Sequence, residues 1–215
     1  MNYNTFKASL QKLIRYYTGP DFSAELSLAK KDFFDSSGAL DENKPHYNLR
    51  MHQFYEWYFL SRPLKNYMKT PVSVCDQHRN LRLSEEDLRV IDILQKTQQH
   101  LLFEYIKIKN KTVIVKNLLA EKKMEIDQSE LVFGFDSKEY FQARIIEIED
   151  KKYFLDSFCF HPESSQKFIM NEIKVLQKNP DLSLEDFLLR LNKMRYKFEL
   201  YRHVKPELIY TNNNK

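Results

Sequence analysis

Apolar residues recur at helical spacing toward both ends of the chain and alternate with polar ones in the middle. From Phe6 the stripe runs through Leu10, Leu13, Ile14 and Tyr17 to Gly19-Pro20, a stop signal, and it resumes through Phe22, Leu26, Ala29 and Phe33 to Gly38. That pattern predicts two helices joined by a short turn, with Gly38 as the C-terminal cap of the second. Ala39 to Tyr47 is polar, contains Pro45, and reads as a loop. The densest aromatic stretch follows, Phe54-Tyr55-Glu56-Trp57-Tyr58-Phe59-Leu60. As a helix from Leu49 to Leu60 it is apolar on most sides, so it is expected to be nearly surrounded, with Trp57 deep in the core. Pro63 and Pro71 bracket a short basic segment. Ser84-Glu85-Glu86-Asp87 then reads as a capping box that opens a helix through Leu88, Ile91 and Leu94.

Alternation begins near Leu101. Leu102 to Lys109 and Thr112 to Val115 predict a hairpin turning at Lys109-Asn110-Lys111, and Lys123 to Ile126 a weaker strand. A second hairpin is predicted from Tyr140 to Ile148, turning at Glu149-Asp150-Lys151 into Tyr153 to Phe158. Pro162 marks the start of another helix, with Phe168, Ile169, Ile173 and Leu176 as its stripe, and Asn179-Pro180 ends it. Ser183 with Asp186 caps the last one, striped by Phe187, Leu191, Met194, Phe198 and Tyr201. Thr211 to Lys215 reads as a frayed end. The fold class is therefore α+β, built as N-terminal helices, a central antiparallel β-meander or small barrel, and two C-terminal helices. One compact unit is expected: 1–100 mainly helical, 101–160 sheet, 161–205 two helices and 206–215 a tail.

Composition narrows the function classes. The 215 residues are 42% hydrophobic and 14% aromatic, enough for a substantial core, and only 3 are glycine, which argues against a Rossmann or P-loop phosphate site. No run approaches the roughly 18 apolar residues of a membrane span, and the first residues lack the apolar stretch of a secretory signal, so a cytoplasmic location away from membranes is expected. The two cysteines are expected as reduced, buried thiols, and the net charge of +4 is spread along the chain.

The stretch from Phe54 to about Phe160, about half the chain, resembles a family of uncharacterised bacterial proteins. In that family an F-x-E-W segment precedes a T-P pair, an L-F-E-V-like strand, a hairpin and an alternating strand. The matching residues here are Phe54, Glu56 and Trp57, then Thr70-Pro71, Leu102-Phe103-Glu104-Tyr105 and Ala143-Arg144. The sequence departs from the pattern at Asn117-Leu118-Leu119, where the family usually shows an acidic residue, and near Glu121, where it usually shows a glycine. Many members end in a cysteine-rich SEC-C zinc motif that this chain lacks, so the resemblance implies neither a zinc role nor an activity.

Four groups of residues could carry chemistry. Cys75 with His78 forms a C-x-x-H half-site, and Cys159 with His161 a C-x-H one. Together they make a weak zinc set, looser than the tight paired motifs of structural sites, and no metal or other cofactor is expected. A Cys–His nucleophile drawn from them would lack an oxyanion-hole signature. His52 and Glu56, four apart on a helix, could act as an acid/base pair, but a carboxylate that satisfies buried backbone donors fits the aromatic surroundings better. Phe103, Tyr105, Lys107 and Lys109 alternate onto one strand face, which could stack bases and neutralise phosphates. Arg190, Lys193 and Lys197, with Arg195, lie opposite the apolar stripe of the last helix and could extend that basic surface. Lysines also protect sheet edges, and basic residues late in a helix complement its dipole. The first functional reading is thus a non-catalytic cytoplasmic protein-binding or regulatory module. The second is a nucleic-acid-binding protein using the hairpin and last helix, and the third an enzyme whose site is dispersed along the sequence. A protein partner is preferred to nucleic acid, with the oligomeric state open.

Overall fold

The computed structural model describes residues 1–43, 46–127 and 138–214. Helices α1 (Tyr3–Tyr17), α2 (Ser23–Ser37), α3 (Tyr47–Leu60), the single turn α4 (Pro71–Val74) and α5 (Glu85–Thr97) lead into strands β1 (Gln99–Lys109), β2 (Thr112–Asn117), β3 (Lys122–Asp127), β4 (Tyr140–Ile148) and β5 (Lys151–His161). Then come α6 (Gln166–Lys178), α7 (Leu184–Leu200) and the short α8 (Pro206–Ile209). The fold is α+β, as the periodicity predicts. The strands close a barrel in the order β1-β2-β3-β5-β4. The second hairpin is therefore inserted in reverse, and β5 rather than β4 neighbours β3. Within the loop expected from Ala39 to Tyr47, Lys44 and Pro45 lie outside the described residues, as does Lys215 of the expected tail.

Two compact units are interleaved along the chain. One comprises Met1–Asp32, Asp41–Gln99 and Ile145–Ser157, the other Phe33–Leu40, His100–Arg144 and Phe158–Lys215. In the first unit α1 packs on α5. The buried core includes Phe6, Leu13 and Tyr17 from α1, Phe54, Tyr58 and Phe59 from α3, and Val90 and Leu94 from α5. The capping box forms: Ser84 Oγ accepts from Asp87 N at 3.2 Å and Ser84 N donates to Asp87 Oδ2 at 2.9 Å. Asp87 also accepts from Ser9 and Lys12 of α1, so one carboxylate caps α5 and ties it to α1. Those donors outweigh the cost of burial and hold its pKa down at about 2. Trp57 is only half-buried, contrary to expectation, and Phe54, Tyr58 and Phe59 occupy the deepest positions of α3.

In the second unit, Ile169 and Ile173 of α6, Phe187, Leu188, Leu191 and Met194 of α7, Leu102 and Leu118 form one cluster. Ile209 and Tyr210 belong to the same cluster, so the expected tail from 206 to 215 contributes α8 and two buried side chains to the core. Gly38 ends α2 at φ +94°, and a Cβ there would meet Tyr196 Cδ1 at 2.9 Å, so this glycine is required both by its backbone and by the close approach. Two turns are tight and left-handed, Asn110-Lys111 (φ 49° and 63°) and Glu149-Asp150 (φ 49° and 65°), the conformation that two-residue hairpins need.

The chain passes between the units at 32/33, 40/41, 99/100, 144/145 and 157/158, and β4 and β5 each run through both. A single cooperative unfolding transition is expected from this connectivity. Fluorescence of Trp57, the only tryptophan, and far-ultraviolet dichroism should give superimposable curves against urea; two resolved transitions would contradict the expectation.

Candidate functional site

A groove of about 330 Å³ lies in the first unit. Along α1 it is lined by Tyr3, Lys7, Leu10, Gln11 and Ile14, which share one broad face of the helix, with Arg15 at the edge of that face and Thr18 just past the helix end. Helix α3 adds His52, Tyr55 and Glu56, and β5 adds Leu155 and Asp156. Leu10 and Leu155 are buried and form an apolar floor with Ile14 and Tyr55. Burial, with a smaller contribution from nearby Tyr47, raises the Tyr55 hydroxyl above its ordinary value and keeps it a donor.

The acidic groups of the groove are engaged within the fold. Glu56 is buried, and its Oε1 accepts from the backbone N–H groups of Asp156 at 2.9 Å and Ser157 at 3.0 Å, while Ser157 Oγ donates to Oε2. Asp156 accepts from Lys7 Nζ at 2.8 Å. Glu56 thus satisfies strand donors and does not pair with His52, whose imidazole makes no hydrogen bond among the described residues. Neither do the Arg15 guanidinium nor the Gln11 amide, so the basic end of the groove is the uncommitted one.

The second unit holds a buried polar network. Gln142 Nε2 donates to His161 Nε2 at 3.0 Å and to the Leu188 carbonyl at 3.2 Å, and His161 Nδ1 donates to Tyr210 Oη at 2.9 Å. This fixes the Nδ1–H tautomer, and burial, with Arg195 nearby, pushes the imidazole down to about 3. Burial also raises the Tyr210 hydroxyl well above its ordinary range. Arg144 is buried and donates to Glu185 Oε1 at 2.9 Å, while His100 Nδ1 lies 3.2 Å from Glu185 Oε2. Burial first and then Arg144 push His100 below its ordinary value, against the pull of Glu185.

Cys75 and His78 belong to the first unit and Cys159 and His161 to the second, and among the described residues no three His, Cys, Asp or Glu side chains are grouped to hold a metal. Cys75 is fully buried, and burial pushes its thiol up to about 12, so no thiolate is on hand near neutral pH. His78 sits among Tyr16, Tyr17, Phe22 and Tyr67, with ring centroids 5.3 to 5.9 Å away.

The predicted shared face of Phe103, Tyr105, Lys107 and Lys109 does not form. Tyr105 pairs with Val115 but Lys107 with Ile114, so a β-bulge lies between them and reverses the alternation. Phe103 and Tyr105 share a face with Asn117 and Val115, whereas Lys107 and Lys109 share the opposite one with Ile114 and Thr112. Phe103 is fully buried, its ring 5.5 Å from that of Phe141, and cannot stack a base. The strand registers set Glu104, Glu125 and Asp127 among Lys107, Lys109, Lys116 and Lys123 on that face, so most of its positive charge has an acidic neighbour. On α7, Arg190 pairs with Glu172 and lies over Phe187, and Arg195 pairs with Glu199 at 2.9 Å; Lys193 and Lys197 are half-buried. Nothing in the sequence marks Gln142, Leu155 and Tyr210 beyond their places in or after predicted elements.

Fold and site together define an α+β protein with a five-stranded barrel, a lined groove and an internal polar network. The chain belongs to the DUF7986 family, a family of unknown function, which matches residues 26–204. No curated protein and no solved structure matches it. Among the described residues, no helix is long and apolar enough to cross a membrane.

Proposed function

We propose that the protein is a non-catalytic, cytoplasmic protein-binding or regulatory module of bacterial origin. The observation that carries this reading is the groove of the first unit. Its two carboxylates are tied up by strand donors and by Lys7, which leaves an apolar floor and an uncommitted guanidinium. Such a lining favours recognition over acid–base chemistry, because its uncommitted imidazole, His52, has no carboxylate beside it among the described residues to orient it, Glu56 being held by β5. The finer resemblance, to bacterial proteins with an F-x-E-W segment, fits the same reading: Phe54 is core, Glu56 holds β5, and Trp57 keeps part of its surface open.

Nucleic-acid binding is the second reading, and its basic surface is weakened by the bulge at Tyr105/Lys107 and by the acidic neighbours of the lysines. The two divide on oligonucleotide binding. No specific retention on single- or double-stranded oligonucleotides is expected near physiological salt. Micromolar binding that falls steeply with added salt, and falls again when Lys107 and Lys109 become Glu with the fold intact, would put the second reading first.

A further inference from the structure

We infer that the groove along α1 holds the C-terminal segment of a partner protein, with Arg15 taking the terminal carboxylate. The inference rests on the binding-module reading and adds the chemistry of the partner. Three features carry it: the groove's shape, its charge and the place of its free cation.

The shape favours an extended chain. From Tyr3 to Thr18 the lining spans 15 helical steps, about 22 Å at 1.5 Å per residue. An elongated lining of that length suits an extended chain better than a compact organic molecule, which fills a rounded pocket. It can take a strand of roughly six or seven residues at about 3.3 Å each, one row of side chains resting on Leu10, Ile14, Tyr55 and Leu155.

The charge is polarised along the trough. Lys7, near the start of α1, is neutralised by Asp156, whereas Arg15, in the last turn, has no counter-ion among the described residues. Arginine in a last turn also complements the carbonyl end of its helix. That end is already served here, since Thr18 N donates to the Ile14 carbonyl and Gly19 N to that of Tyr16. The planar fork remains available for two parallel hydrogen bonds to a carboxylate, with His52 and Gln11 on the same lining as further donors. A single cation at one end of an apolar trough fits a chain terminus better than a side chain midway along a segment.

The test uses the full-length protein and a pool of acetylated hexapeptides that alternate serine with leucine or phenylalanine and end in a free carboxylate. The same pool with amidated ends and hexanoate, a small apolar carboxylate, serve as the other arms. Binding is read in every protein from the backbone amide shifts of the groove residues, and in the wild type also from the ¹⁵N shift of the Arg15 side-chain Nε–H, assigned by its loss in Arg15→Gln. Expected are a dissociation constant below about 1 mM for the free-carboxylate pool, and binding at least about tenfold weaker for the amidated pool, for hexanoate and in Arg15→Gln. Ile14→Glu, which sets a negative charge in the wall, should weaken the free-carboxylate pool by a similar factor. An Arg15 signal that stays unmoved, equal binding of the amidated pool, or hexanoate binding as tightly as the peptides would overturn the inference. The comparison of free and amidated ends is made on the wild-type protein and does not depend on a variant folding. Failure here without oligonucleotide retention would leave the module reading in place with its surface elsewhere, whereas oligonucleotide binding would remove that reading whatever the peptides do.

Discussion

Glu56→Ala is expected to lower the stability of the protein by about 3–5 kcal/mol, because it removes one acceptor shared by several donors within the fold. The carboxylate sits on α3 in the first unit and accepts from adjacent residues of β5, at Asp156 N, Ser157 N and Ser157 Oγ. Alanine would strand two backbone N–H groups and a hydroxyl, each costing about 1–3 kcal/mol when buried without a partner. Water entering the space would recover part of that, which is why the sum is not simply additive. Glu56→Gln should be milder, about 1–2 kcal/mol, since one amide oxygen still serves both backbone donors and the serine hydroxyl can rotate to accept from the new N–H. Urea unfolding of both variants at constant slope measures the difference. A loss below about 1 kcal/mol for the alanine variant would mean that β5 finds other acceptors and that Glu56 is free for another role.

Much of the fold is legible in the sequence because its signals are local. Ser84 and Asp87 cap a helix wherever it lies, Gly38 ends one because only glycine is comfortable at φ +94°, and helical or alternating periodicity marks the faces of α1, α6 and β2. The second cap forms by halves: Ser183 Oγ accepts from Asp186 N at 3.2 Å. What the sequence hides is set by distant partners. Trp57 and Phe59 look equally apolar in α3, yet only Phe59 is fully buried, a difference decided by what packs on each side of the helix. The bulge between Tyr105 and Lys107 leaves no mark in a run of alternating residues, and one extra residue suffices to move both lysines to the other face. Ile209 and Tyr210 follow a short polar stretch and resemble a loose end until α7 and α6 receive them. The candidate groove was half visible. The His52–Glu56 spacing points to the right place on α3, but Asp156 and Ser157 lie a hundred residues further on, and the open guanidinium of Arg15 reads in sequence as an ordinary helix-end base.

Acidification supplies the other large effect, through His161. Its folded-state pKa is pushed from an ordinary 6.5 to about 3 by burial, with Arg195 adding to the push, while Nε2 is held as an acceptor by Gln142. The neutral ring belongs to the fold and the unfolded chain binds the proton more readily. Stability is therefore intact above about pH 6.5 and declines by about 1.4 kcal/mol per pH unit until the folded ring titrates near 3. At pH 4.5 the expected loss from this residue is about 2–3 kcal/mol. His100 and His78, both shifted downward mainly by burial, act in the same direction. Asp87 enters only later, since its stabilisation is lost between an ordinary 3.8 and about 2. His161→Gln separates the contributions: its amide can accept from Gln142 and donate to Tyr210 Oη, but it cannot take up a proton. At pH 7 it should cost about 1–2 kcal/mol in packing. Its urea midpoint should then fall much less than the wild type's between pH 7 and 4.5, with the difference worth about 2–3 kcal/mol. Equal acid losses in the two proteins would show that His161 is not the residue that makes the second unit acid-sensitive.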